Sequence, residues 1–572
     1  MEQYSGTEGF IEVMNANGVE DIFFNPGGEQ ASIQATIAKL RVSGKRAPRL
    51  VLCLDESVAM AAAHGHYMVS GKPQVVMVHA ELGTQQVGGA LHNAQWGRIP
   101  VILWAGLAGA PQRVNWKQEP YDQGGMVRNC VKWDHEITDN QNISEVLGEA
   151  FKIAFSEPRG PVYLAYSRDM TTKKMDRKTI RPSATDDLAV APPIGNDTLN
   201  KIAGMLIEAE NPLIIAGYTG RHPESVASLV ELAETLGAPV LTSQVWMNFP
   251  TTHPLCAGIE QILGSRKANP YIADADVLLV IDYDMPYAIA AGVPGKDARI
   301  IHLDVDPLTQ GRPLWGRGAD IYVKADSREA IPALTGAIRR VLTPEKRDKF
   351  SQRSSRLGNA HIKQRKGWRA QAVSSAKLKP ISPDWLCHCI AGIIDEDTIV
   401  VNHNISLSAS PTEQIDRTRP RTLLGCGAGS IQWALGAALG AKIAAPDRTV
   451  VSLMTDGGFI WGCPVATLWT ARVYHAPFLS VIFNNQTYGF MRSLIQRAAG
   501  EKDFSDAMAF EAGVDIAPPP DYAGIAEACG AYGKMVENPD DVLPVLKEAL
   551  RQTRNGRAAV VDIRLEKEHD WL

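Results

Sequence analysis

The chain has no apolar run near the roughly 18 residues of a membrane-spanning helix. Its first residues, MEQYSGTEGFIEVM, carry neither a basic region nor an apolar core, so a secretory leader is not expected. No block of like charge stands out, and the formal net charge is only −5 over 572 residues. Electrostatics therefore gives no support to a nucleic-acid or membrane-surface partner. Eight cysteines are scattered without paired-ligand spacing, which points to a reduced, cytoplasmic protein rather than a disulfide scaffold. Cys387, His388 and Cys389 do crowd together, but PDWLCHCIAGII reads as a helix. Side chains two apart on a helix diverge, so no metal site is expected there.

What the chain does have is an alternation of short apolar runs with small-residue helical segments. It falls into three blocks. Residues 1–170 contain DIFFN, RLVLCL, PQVVMVH, RIPVILWAG and GPVYLAY; residues 194–342 contain NPLIIAG, APVLTS, ADVLLVID and ARIIHLDVD. Residues 378–572 contain DTIVVNH, RTVVSLMTDGG, APFLSVIFNN and AAVVDIRL. A charged, Pro-rich stretch (171–193) suits a linker, and the basic stretch 344–371 reads as a surface helix or a second linker. Strands separated by helices predict three doubly wound α/β domains with mostly parallel sheets. Ligands of such sheets sit beyond the carboxyl ends of the strands. That singles out the residues closing the runs: Asn25, Glu56, His79, His403, Asp456 and Asn485.

Two of these belong together. VVSLMTDGG ends in Asp456-Gly457-Gly458, and FLSVIFNN ends in Asn484-Asn485, one helix and one returning strand later. Parallel neighbours would bring Asp456 and Asn485 to one sheet edge. A carboxylate, an amide oxygen and a loop carbonyl are hard ligands, suited to Mg²⁺ or Ca²⁺ bridging a diphosphate. Gly457 and Gly458 clear the backbone N–H groups that phosphate approaches. Asp55 and Glu56 look at first like equivalent acids at a helix start, facing its unpaired N–H groups.

The Asp456–Asn485 pair resembles the Gly-Asp-Gly…Asn-Asn motif of thiamine diphosphate-dependent enzymes. Further segments extend the resemblance along the chain: FNPGGEQ (24–30), LDESVAMAAAHGHY (54–67), VHAELGTQQVGGALHNA (78–94), CVKWDHE (130–136), GPVYLAY (160–166), ATLWTA (466–471), NNQTYG (484–489) and PPDYAGIAEACGAYG (519–533). The pattern is similar to the benzoylformate decarboxylase-like and acetolactate synthase-like branch. The resemblance implies pyrimidine-binding, central and diphosphate-binding domains in that order. It implies Asp456, Asn485 and the Thr487 carbonyl as Mg²⁺ ligands, and Gly429, Ser430, Ile431, Gly457, Gly458, Asn485 and Tyr488 around the cofactor. Glu56 matches the acid that bonds N1′ of the aminopyrimidine, leaving Asp55 as the cap. His79, 23 residues after Glu56, matches a catalytic histidine, and His403 is a second candidate by position. The chemistry implied is C–C cleavage of a 2-oxo acid through a C2 ylid and an enamine, in a homodimer or homotetramer whose subunits share each site.

The departures bear on substrate. Thr455 replaces the first Gly of the metal motif. Gly28 stands where benzoylformate decarboxylases carry Ser, Leu494 lies where acetolactate synthases carry Trp, and residues 280–300 contain no His. A 2-oxo acid decarboxylase is the simplest reading. An acetolactate synthase-type carboligase, a 2-hydroxyacyl-CoA lyase and a cofactor-binding protein without turnover are the alternatives. FAD against the central domain belongs to the synthase branch, but the strand end IDYDMPY is acidic and gives it no support. GCGAG (425–429) follows no clear strand and lacks a ribose-binding acid, so it is a weak dinucleotide loop.

Overall fold

A computed structural model of the chain describes residues 4–113, 122–176, 188–259, 269–284, 293–309, 318–404, 407–500 and 504–567. The first sheet is built from β1 (Asp21–Phe24), β2 (Arg49–Leu52), β3 (Gln74–Val78), β4 (Val101–Leu107), β5 (Asp134–Ile137) and β6 (Val162–Ser167). The second uses β7 (Pro212–Ala216), β8 (Val240–Thr242), β9 (Cys256–Ile259), β10 (Val277–Ile281), β11 (Arg299–Asp304) and β12 (Ile321–Lys324). The third uses β13 (Ile399–His403), β14 (Leu423–Gly425), β15 (Val450–Thr455), β16 (Leu479–Asn484), β17 (Tyr532–Val536) and β18 (Ala559–Arg564). Among the described residues every pairing between these strands is parallel, as expected where helices cover both faces.

Strand order is β2-β1-β3-β4-β6-β5 in the first sheet and β14-β13-β15-β16-β18-β17 in the third, which is the same order counted along the chain. The second runs β9-β8-β7-β10-β11-β12, the order of a dinucleotide-binding fold. The central strands are buried on both faces and read as continuous apolar runs; β3 and β10 are buried throughout. The runs named from the sequence omit β5, β9, β12, β14 and β17. All five lie at sheet edges. Most of them are only partly buried or very short, so no long apolar run announces them.

Other readings are settled or corrected by the fold. The basic stretch is one helix, Pro344–Ser374. GCGAG does follow a strand, the three-residue β14, whose end is paired by Gly425 N–H donating to the Val245 carbonyl. Part of the 171–193 linker, residues 177–187, lies outside the described residues, as do residues 285–292 within the 280–300 stretch.

The first and third domains meet through two small-residue helices, Glu56–Ser70 and Trp433–Ala444. Glycine is required at this crossing. A Cβ at Gly440 would lie 1.8 Å from the Ala62 carbonyl oxygen, and one at Gly65 would lie 2.1 Å from that of Ala437. The Ala-rich composition of the Glu56 helix thus serves close backbone approach, and one contiguous core spans both domains.

Candidate active site

The two acids after β2 separate at once. Leu54 takes a left-handed turn (φ 59°), and Asp55 becomes the helix cap, its Oδ1 accepting from Ser57 N–H at 2.8 Å and Val58 N–H at 3.1 Å. Glu56 is the first helical residue and is 8% exposed. Burial pushes its carboxyl up; a hydrogen bond from the Asn25 side chain and the nearby His79 pull the other way, and Asp55 adds to the rise. Gly83 stands beside it, since a Cβ there would lie 2.9 Å from Glu56 Oε1.

His79 caps the short helix Ala80–Gln86 at the end of β3. Its Nδ1 lies 2.9 Å from Glu29 Oε2. Asn25, Glu29, Glu56, His79 and Gly83 therefore form one cluster at the carboxyl edge of the first sheet. Asn25 was visible in the sequence only as a run end, and Glu29 was not singled out. The signal for both was their place in FNPGGEQ, directly after β1.

The second cluster lies on the third sheet. Register pairs Thr455 with Phe483, and Asp456 just beyond is bonded by the N–H of Gln486, the residue after Asn485. Thr455, the departure from the family motif, caps the helix Asp456–Trp461 by accepting from Gly458 N–H at 3.3 Å. Asp456 Oδ1 accepts from Gly457 N–H and Oδ2 from Gln486 N–H, both at 2.8 Å. Burial pushes this carboxyl up to about 7, and Asp562 adds to the rise. Asn485 is fully buried, and neither its Oδ1 nor its Nδ2 has a hydrogen-bond partner. Thr487 sits in an isolated bridge with Asp515 whose two backbone bonds are Tyr488 N–H to Val514 O and Ile516 N–H to Gln486 O. The Thr487 carbonyl is in neither bond.

This donor set fits a divalent cation. Unpartnered buried amide atoms are rare, and a carboxylate, an amide oxygen and a carbonyl free of that bridge are what Mg²⁺ takes. The remaining residues of the set gather on the same side. The Ile431 carbonyl lies 3.6 Å from a Cβ built on Gly458, and a Cβ on Gly457 would meet the Tyr488 ring at 2.8 Å. Ile431 lies in a turn before the Trp433 helix rather than at its start. Gly429 has open space around its Cβ position. Ser430 is clamped by the first domain: Asn93 Nδ2 donates to its carbonyl at 2.8 Å, and its N–H donates to Asn93 Oδ1 at 3.2 Å. The Tyr488 hydroxyl accepts from Trp461 Nε1–H at 3.3 Å.

His403 ends β13 and meets Trp433 edge-on at 5.8 Å; burial pushes it down to about 4. His64 meets the same indole at 5.2 Å and is pushed down to about 3. Both are neutral at pH 7. The structure thus groups His79 with Glu56, whereas His403 packs on an indole of the third domain.

At the crevice of the second sheet, the acids of IDYDMPY that are described are buried in ion pairs. Arg98, from the first domain, lies 2.7 Å from Asp284 and 2.8 Å from Asp304, with its guanidinium over the Tyr218 ring; Arg221 lies 2.7 Å from Asp282. These ion pairs, two arginines among three carboxylates, lie where a dinucleotide would bind in a fold of this order.

The α/β fold thus carries a buried acid with a histidine at the sheet edge of one domain and a cluster of oxygen donors at that of another. Comparison with known proteins agrees. Residues 4–126 match the thiamine pyrophosphate enzyme N-terminal TPP binding domain, residues 199–334 the central domain and residues 407–563 the C-terminal TPP binding domain. The chain belongs to the thiamine pyrophosphate enzymes. It is 25% identical to a probable acetolactate synthase large subunit of Methanocaldococcus jannaschii, over 95% of this chain and 90% of that one. It is 26% identical to a benzoylformate decarboxylase of Pseudomonas aeruginosa, over 95% and 96%. A solved thiamine diphosphate-dependent 4-hydroxybenzoylformate decarboxylase of Rhodococcus jostii has the same fold, with a TM-score of 0.79 at 22% identity over 99% and 100% of the chains.

Proposed function

We propose that this protein is a thiamine diphosphate- and Mg²⁺-dependent lyase that cleaves the C–C bond of a 2-oxo acid, most simply a decarboxylase. The observation that carries the reading is a pair of clusters: buried Glu56 with His79, and Asp456 beside the unpartnered amide of Asn485. Asp456, Asn485 and the Thr487 carbonyl would hold the metal. Gly457 and Gly458 would admit the diphosphate, and Gly429, Ser430, Ile431 and Tyr488 would line the cofactor. When bound, that cofactor supplies a carbon nucleophile and an electron sink beside the substrate carbonyl.

The chain's own residues do the rest. Glu56, kept protonated longer than an exposed acid by its burial, holds a proton for ring nitrogen N1′. His79, with Nδ1 engaged by Glu29, has Nε2 left to give or take a proton at the substrate. Exposed apolar side chains border both clusters: Leu54, Leu82, Ile460, Trp461 and Val465. A second subunit covering them would exclude water and bring Glu56 of one chain to the metal cluster of the other, making a homodimer or homotetramer the working form. The domains are taken as 1–170, 194–342 and 378–572.

The second reading is an acetolactate synthase-type carboligase, favoured by Gly28 in the NPGG loop. Purified protein with thiamine diphosphate and Mg²⁺ is given benzoylformate, pyruvate and branched 2-oxo acids. An aldehyde product supports decarboxylation and an acyloin supports carboligation. Release of CO₂ from none of them overturns both.

A further inference from the structure

We propose that Glu29 is the positioning residue of His79: its carboxylate accepts the Nδ1–H of the imidazole, fixes the tautomer and ring orientation, and leaves Nε2 as the atom that faces substrate. The inference rests on His79 being the proton-transfer group proposed above.

The pair is built into the loop rather than met by chance. Gly28–Gln30 forms a single 3₁₀ turn, and Gln30, 1% exposed, ties it down: its Nε2 donates to the Val78 carbonyl at 2.6 Å, one residue before His79. Glu29 is thereby set beside the imidazole with its side chain only 11% exposed. Two glycines leave the space. A Cβ at Gly27 would lie 2.2 Å from His79 Nδ1 and 2.3 Å from Glu29 Oε2. A Cβ at Gly106, on the neighbouring β4, would lie 2.4 Å from Glu29 Cβ. Glu56, the other acid acting on His79, is already bonded to Asn25, and Glu81 on the histidine's own helix is engaged with Gln85. An acid that accepts from one ring nitrogen selects the tautomer in which the other is unprotonated, the logic of the third member of a catalytic triad.

The test compares Glu29→Met, which removes the acceptor at similar size, with Glu29→Gln, whose amide oxygen still accepts from Nδ1–H. Two readouts are taken. One is steady-state kinetics with the best 2-oxo acid. The other is the ¹⁵N spectrum of imidazole-labelled, cofactor-free protein, in which His79→Ala locates the His79 resonances. The expected result is an Nδ1–H tautomer in the parent and in Glu29→Gln, and its loss in Glu29→Met. With it, kcat of the Met variant falls about 10- to 100-fold at little-changed KM, since the proton transfer being misaligned is worth about 10² to 10⁴. The Gln variant lies between the two. An unchanged tautomer, or parental kcat, in Glu29→Met overturns the proposal. Should the Met variant not fold, an Nε2–H tautomer in the parent overturns it equally. Parental kcat in His79→Ala refutes the role of His79 itself. An inactive His79→Ala beside a fully active Glu29→Met refutes the positioning alone.

Discussion

Because the first and third sheets share one strand order, their carboxyl edges can be compared position by position. Phe24, the last residue of β1, corresponds to His403, the last of β13, so Asn25 corresponds to Asn404. His79, just past β3, corresponds to Asp456, just past β15. Where β4 supplies Gly106, which makes room for Glu29, β16 supplies Asn484, and Asn485 follows it. On the first sheet the strand ends carry polar groups that already partner one another: Asn25 with Glu56, Glu29 with His79. On the third they carry oxygen donors, and Asn485 is left unpartnered. One scaffold therefore holds two kinds of site, and the difference lies in whether the chain satisfies its own buried polar groups. A buried amide without a partner in its own chain calls for one from outside it, which the internally satisfied cluster does not.

That contrast can be broken most directly at Glu56. Glu56→Gln is expected to bind thiamine diphosphate nearly as well as the parent by calorimetric titration while losing about a thousandfold in kcat. A fully active variant would remove the proton-handling role from the first sheet. Asp456→Ala should do the reverse, weakening Mg²⁺-dependent cofactor binding by at least about 100-fold. Parental affinity in that titration would mean that the oxygen cluster is not the metal site.

A smaller effect sharpens the comparison at the helix crossing that joins the domains. His64 is buried against Trp433 and held neutral, pushed down to about 3 from an ordinary 6.5. The unfolded chain takes up that proton first, so the stability linked to His64 is complete above about pH 6.5 and falls as pH drops toward the folded value. His64→Leu should therefore gain on the parent in unfolding free energy as pH is lowered from 6 to 4.5, by about 1.4 kcal/mol per unit. A difference between the two proteins that stays constant with pH would show that this histidine is not kept neutral by the fold.

Much of this was legible in the chain. Fully buried strands such as β3, β10 and β16 stand out because parallel packing demands apolar side chains on both faces. Asp456 and Asn485 could be paired because both close apolar runs on neighbouring parallel strands, although the connection between them holds two short helices, Asp456–Trp461 and Pro464–Val473, rather than one. The short edge strands β5, β9, β12, β14 and β17 left little apolar signal. Glu29 was hidden for a different reason: an acid directly after a Gly-Gly pair has no periodicity, and its partner His79 lies 50 residues away. Asn93, quoted within a family segment, shows its use only through Ser430, 337 residues further on.

By itself the sequence determined the three α/β domains, the strand-end positions and the identity of the metal and acid candidates, since hydrophobic pattern and local turn chemistry are properties of neighbours in the chain. Only the tertiary structure decided that Glu56 is buried against Asn25, that His79 rather than His403 joins the Glu56 cluster, and that Glu29 lies against its ring. Those outcomes depend on burial and on hydrogen bonds between distant segments, which become defined only once the sheets have brought their edges together.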